Sequence, residues 1–153
     1  MKKMTSIIAI MLLAALLLTG CDFIPLKKDF SQYGFTFTIA GKVTEEEGNE
    51  SGNAVFNTKY GKLTFANLSF FSAAIEPLVS STCDSKETLA NGARLYSYNA
   101  KQDINGVMVI ETQYFVSSTD GTNWMIKFLT PEADYNKDAI IKVFTSVEFV
   151  TAG

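Results

Sequence analysis

The sequence predicts an α+β fold, a single antiparallel β-sheet with a C-terminal helix packed on one face. Three observations carry this expectation. Several segments alternate apolar and polar residues with period two, as strands with one buried face do. Asn-Gly and Asp-Gly dipeptides fall between those segments, where tight turns need residues that tolerate positive φ. Near the end of the chain Ile140, Val143, Phe144 and Val147 recur at i, i+3, i+4 and i+7, one apolar stripe at helical spacing.

The first element is not part of that domain. Met1, Lys2 and Lys3 make a basic start, and Ile7 to Leu18 are uninterrupted apolar residues. A membrane-spanning helix needs roughly 20 such residues, so this run is too short to span. It fits the apolar core of an export signal. The run ends in Leu18-Thr19-Gly20-Cys21, which resembles the lipobox of bacterial lipoproteins. That resemblance implies cleavage between Gly20 and Cys21 and a diacylglycerol on the Cys21 sulfur. Residues 1–20 then read as a cleaved signal helix, and the membrane becomes a partner through the lipid on Cys21. Two acyl chains, at about 0.8 kcal/mol per buried CH₂, give stable attachment where one gives only marginal binding.

Removal of residues 1–20 takes Lys2 and Lys3 from 13 basic residues and none of the 16 acidic ones, leaving a net charge of −5. No basic stripe exists to neutralise phosphates, so nucleic acid is not an expected partner. With Cys21 committed to lipid, Cys83 is alone and reads as a small buried hydrophobe. Residues 21–33 contain Pro25 and no clean periodicity, and read as a lipidated N-terminus and tether, with Lys27 and Lys28 a solvated pair. Residues 34–153 form the expected domain.

Within it, Phe35, Phe37 and Ile39 alternate with Thr36, Thr38 and Ala40 as a strand. Glu45 to Asn53 is a charged break, and Ala54 to Tyr60 and Lys62 to Phe70 are two strands meeting near Gly61. Ala73 to Leu78 is a short helix limited by Pro77. Glu87 to Ala90 and Ala93 to Tyr98 flank the turn Asn91-Gly92, and Asn105-Gly106 precedes a long strand, Val107 to Val116. A turn around Asp120-Gly121 leads to the strand Asn123 to Thr130. The terminal helix is expected from Pro131 and Glu132, with Thr130 as its cap. Val147 to Val150 reads equally as helix or as a last strand.

The order of elements from Glu87 to Phe149 includes a hairpin at Leu89-Ala90-Asn91-Gly92-Ala93, a strand carrying Trp124, and a helix running into Thr145-Ser146-Val147-Glu148-Phe149. This order resembles the C-terminal half of PsbP-like domains. The resemblance implies a binding or assembly role and transfers no catalytic residue.

Histidine is absent from the chain, which removes the commonest general base and the usual nucleophilic triads. There is no Gly-x-Ser-x-Gly, Walker loop or dinucleotide fingerprint, so no enzyme and no cofactor are expected. Glu45, Glu46, Glu47 and Glu50 lack the Asp/Asn alternation of a calcium loop and read as a solvated hairpin tip, so no metal is expected. The positive lead is aromatic. Tyr96 and Tyr98 share a strand face, and Met125 points to the sheet face opposite Trp124, so that face needs a cover, either the N-terminal hairpin or a partner. The expectation is therefore a membrane-anchored extracytoplasmic lipoprotein of non-catalytic binding or assembly type, using Tyr96, Tyr98 and Met125 and meeting another envelope protein. The alternatives are a binder of small molecules or cell-wall fragments and, last, an uncharacterised hydrolase.

Overall fold

A computed structural model describes residues 24–69 and 72–150, so the expected signal segment and Cys21 lie outside the described residues. The described residues form a single domain of mostly antiparallel sheet with two α-helices. Strands β3 (Thr44–Glu45), β4 (Asn53–Thr58), β5 (Gly61–Asn67), β6 (Ser85–Thr88), β7 (Arg94–Ile104), β8 (Val107–Ser117) and β9 (Asn123–Pro131) form a seven-stranded sheet in the order β3-β4-β5-β9-β8-β7-β6. A second sheet of three strands, β1 (Pro25–Phe30), β2 (Phe35–Ala40) and β10 (Glu148–Phe149), has the order β1-β2-β10. Helix α1 is Ser72–Thr82 and helix α2 is Lys137–Thr145.

The expected single sheet is thus two. The segment read as a tether is folded, because Pro25–Phe30 pairs antiparallel with β2 from Pro25↔Ala40 to Phe30↔Phe35. Its alternation is hard to see because Lys28 shares the face of Leu26 and Phe30 on an edge strand. Phe30 nevertheless stacks on Phe37 with ring centroids 5.5 Å apart and lies 4.4 Å from the Phe56 ring.

The small sheet and α2 together cover one face of the large sheet. That face presents Ala54, Phe56, Leu63, Phe65, Trp124 and Ile126, and all are buried. Phe35 from β2 lies flat on Phe65, centroids 3.8 Å apart at 10°. The α2 stripe packs as its spacing predicts, with Ile140, Val143 and Phe144 buried and the Phe144 ring stacked on Tyr114 at 5.0 Å. The helix begins later than expected. Pro131 closes β9 and Glu132–Asp134 forms a 3-10 turn. Asn136 is the N-cap, its side-chain oxygen accepting from the Ala139 amide at 3.0 Å. Val147 lies beyond the helix, half-buried, and β10 resolves the ambiguity of the last residues in favour of a strand.

The turns divide by backbone. Asn105 and Gly106 both have positive φ, 55° and 82°, as a two-residue type I′ hairpin needs. At Asn91-Gly92 only Gly92 is positive, and the Gly92 amide donates to the Leu89 carbonyl, so this loop is longer than the dipeptide suggested. Gly61 admits no side chain, since a Cβ there would collide with the Leu129 carbonyl oxygen of β9.

Strand directions give the domain two ends. At the Pro25 end β1 starts, β2 finishes, β4 turns into β5 at Gly61, and β9 finishes opposite Val109. At the Gly34 end lie the β1–β2 turn, Asn67 and the loop 118–122.

Two outcomes test this packing. Truncation of a buried Phe costs about 3–5 kcal/mol, a large part of the roughly 5–15 kcal/mol that holds a domain together. Phe144→Ala should therefore sharply lower the urea midpoint, and a loss under about 1 kcal/mol would contradict the helix packing. A chain starting at Asp22 should unfold as the whole domain does. One starting at Ser31, lacking β1 and Phe30, should be weaker by at least about 2 kcal/mol, since it gives up a large apolar side chain; equal midpoints would make β1 dispensable.

Candidate functional site

The structure brings Tyr96, Tyr98 and Met125 to one face of the large sheet, as their alternation predicts. Tyr96 pairs with Gln113, Tyr98 with Glu111 and Met125 with Phe115 across the β7-β8-β9 ladder. That face is not open. Helix α1 lies over it, and Leu68, Val79, Tyr96 and Phe115 form a second buried cluster with Ile75, Cys83, Tyr98 and Met125 against it. Tyr96 is only 5 % exposed, and Tyr98 and Met125 are half-buried. The cover is neither the N-terminal hairpin nor a partner but the helix expected to stop at Leu78.

That helix runs to Thr82 although Pro77 stands at its midpoint, where the ring removes the backbone bond to the Ala73 carbonyl. Polar anchors then hold it. The Glu76 carboxylate accepts from the Arg94 guanidinium in a two-point pair, Nη2 to Oε2 at 2.9 Å. It also accepts from the Tyr96 hydroxyl at 2.9 Å. The hydroxyls of Thr82 and Tyr98 meet at 2.9 Å, one turn and a half further on. Burial and the Glu76 carboxylate push the Tyr96 phenol above its ordinary pKa, and the same carboxylate raises Arg94. Cys83 is half-buried at the end of α1, its thiol 3.6 Å from the Ser80 carbonyl.

The glutamates of the β3–β4 region serve separate partners. Glu45 accepts from the Tyr33 hydroxyl at 2.6 Å, which raises that phenol, and Glu46 pairs with Lys62 at 2.7 Å and with Asn57. Among the described residues no three His, Cys, Asp or Glu side chains converge on one point. Asp120 organises its own turn, accepting from the Thr122 amide at 2.9 Å and from Ser118.

The concavities lie elsewhere. At the Gly34 end two clefts flank Phe149, sharing Ser118 and Thr119 as a common rim. The larger, about 320 Å³, is lined by Asn91, Tyr114, Val116, Ser117, Val147 and Glu148 as well. The smaller, about 160 Å³, reaches Trp124, Asn67 and Asp120. Phe149 stacks on Trp124 at 5.1 Å, so the wall between the clefts is a rigid aromatic pair. The polar groups are fixed as well. Asn91 donates to the Tyr114 hydroxyl at 2.9 Å, and Ser117 donates to Asn123 at 2.7 Å. The Lys27 ammonium, 2.6 Å from Glu148, holds that carboxyl below its ordinary pKa, and the Ser118 hydroxyl does the same for Asp120. Both carboxylates are therefore ionised near neutral pH, Glu148 as the partner of Lys27.

These clefts leave no mark in the alternation pattern because their residues come from separate turns, from β10 and from parts of β5, β8 and β9. The only trace in the sequence is the run Val147-Glu148-Phe149 after the helical stripe, whose state was ambiguous. No protein-family model matches the chain, and no curated protein matches it.

Glu76 offers a direct test of the helix that covers the tyrosine face. The pair with Arg94 is partly exposed, so its share of stability is discounted for solvent. Glu76→Ala also strips the Tyr96 hydroxyl of its acceptor, and a lost hydrogen bond to a charged group is worth about 1.5–3 kcal/mol when buried. The variant should lose about 1–2 kcal/mol after that discount, with amide exchange in Ser72–Thr82 faster than in β8 and β9. Uniform acceleration across the domain would mean that the helix has no stability of its own to lose.

Proposed function

We propose that this chain is an extracytoplasmic lipoprotein, anchored to the cell membrane through lipid on Cys21, whose domain acts by binding and not by catalysis. The observation that carries the reading is the apolar run Ile7 to Leu18 followed at once by Leu18-Thr19-Gly20-Cys21. The resemblance of residues 87–149 to PsbP-like domains points the same way, toward recognition or assembly. With Tyr96 beneath α1, the recognition surface moves from the tyrosine face to the clefts around Phe149. They have what a binding site needs: a concave form, a rigid aromatic wall and a few fixed polar groups.

A small ligand is the second reading, and one observation favours it. The larger cleft, at about 320 Å³, reaches the lower part of the range of roughly 300–1,000 Å³ in which small-molecule sites fall. The hydroxyls and amides of Asn91, Tyr114 and Ser117 suit a polar, hydroxylated fragment better than an anion, given Glu148 at the margin.

Mass spectrometry of the protein from its own membranes should find a mature N-terminus at Cys21 carrying a diacylglycerol, and Cys21→Ala should leave the membrane fraction or stay uncleaved. In the same cells a photoreactive side chain in place of Thr119, on the shared rim, should capture a discrete partner or small adduct. One in place of Lys86, on the exposed edge strand β6, should not. An unmodified Cys21 would refute the anchor, and capture from position 86 alone would refute the site.

A further inference from the structure

Of the seven large apolar side chains left exposed among the described residues, Leu78 lies on α1 and Val150 at the Gly34 end, and the other five gather at one end. Ile24, Leu26, Ile104, Val107 and Met108 are between 38 and 57 % exposed, and strand register places all five at the Pro25 end. Pro25 pairs with Ala40, the last residue of β2. A groove of about 540 Å³ joins Pro25 and Ala40 to Tyr60 of the β4–β5 turn and to Asn136. A further cavity joins Val107 and Met108 to Pro131, where β9 finishes. The type I′ hairpin at Asn105-Gly106 therefore projects two residues beyond the row Val109↔Pro131 and carries Ile104, Val107 and Met108 at its tip.

The chain itself says what meets this end. β1 begins at Pro25, and only Asp22 and Phe23 separate Ile24 from Cys21, three steps along the chain. Extended backbone spans at most about 3.3–3.6 Å per residue, so Ile24 lies within about 10 Å of Cys21. Resting on the lipidation of Cys21 proposed above, we propose that the Pro25 end of the domain is seated on the phospholipid surface, with Ile24, Leu26 and the hairpin tip Ile104–Met108 entering the interface. A monomer with these side chains in water would keep a rim of apolar surface at the one end that its anchor draws to the bilayer. The charges around the rim are of both signs, Lys28, Lys42, Lys59 and Lys142 against Asp103, Glu132 and Asp138. The contact is accordingly apolar and indifferent to lipid headgroup charge, and the clefts around Phe149 face away from the membrane.

The test uses the full lipidated protein in phosphatidylcholine vesicles doped with a phosphatidylcholine that carries a diazirine near the glycerol end of one acyl chain. After illumination, peptides covering 24–26 and 104–108 should carry label at least tenfold above the peptide covering 118–122. Val107→Glu with Met108→Glu, both at an exposed turn that the core does not need, should abolish labelling of the tip. Replacing a third of the lipid by phosphatidylglycerol should leave the pattern unchanged. Label confined to 24–26, label on 118–122, or a tip shielded against a second copy of the chain would overturn the seating. The intact mass read from the same sample separates the two readings. A lipidated Cys21 with an unlabelled tip defeats the seating alone, whereas an unmodified Cys21 defeats the anchor and the seating with it.

Discussion

Phe35 lying face to face on Phe65 is the contact on which the rest of the domain depends. It sets the small sheet against the large one, and the surrounding rings of Phe37, Phe56 and Trp124 meet it edge-on or tilted at 5.4 to 6.1 Å. Aromatic groups bury the most area per residue and prefer such offset and edge arrangements. Helix α2 then completes the same layer through Phe144. Ser146 closes its end by bonding the free edge of β2, accepting from the Thr38 amide at 2.9 Å and donating to its carbonyl. A strand edge that would otherwise be open is thereby satisfied by a side chain.

The second face of the large sheet has a thinner cover. It has one helix, a small cluster around Tyr96 and Phe115, and a set of hydrogen bonds centred on Glu76. Between the two layers, some buried hydroxyls go unmatched by protein: those of Thr112 and Thr130, on the α2 side of β8 and β9. Buried polar groups of this kind are commonly bridged by internal water. The domain thus has a dense aromatic layer on one side and a helix held by polar contacts on the other, and the clefts around Phe149 lie at the end of the dense layer.

Much of the fold is legible in the sequence, for physical reasons that also say where legibility ends. Asn123–Pro131 shows because it buries alternate residues in one deep layer. Phe35–Ala40 shows by its alternating large apolar side chains although nearly all its positions are buried, and Val107–Ser117 by its length and apolar content, with burial on both faces. The α2 stripe shows because a single face of it is buried. β1 was hidden because an edge strand with a lysine, Lys28, on its inner side has no clean alternation, and so the second sheet was hidden with it. The extent of α1 was hidden by Pro77, a residue type that commonly ends a helix but here is followed by five more helical residues. Tyr96 was recognised as facing the right way, but burial under α1 is set by the Glu76–Arg94 pair, and eighteen residues of separation carry no periodic signal. The clefts were invisible for the same reason, being assembled from turns whose meeting depends on the whole topology.

The direction of β1 has a mechanical meaning. The strand runs from the Pro25 end toward Gly34, antiparallel to β2 along six paired positions. A pull on the chain ahead of Pro25 acts along the strand axis and away from the rest of the domain. Such a load slides the strand lengthwise against its neighbour, so that all the rungs share the strain together, instead of peeling them apart one after another. Lys27, bonded across β2 to Glu148, and Phe30, wedged among the rings at the far tip, resist the same displacement. A tether at Cys21, as proposed, would load this joint in shear, the stronger of the two ways to pull on a β ladder.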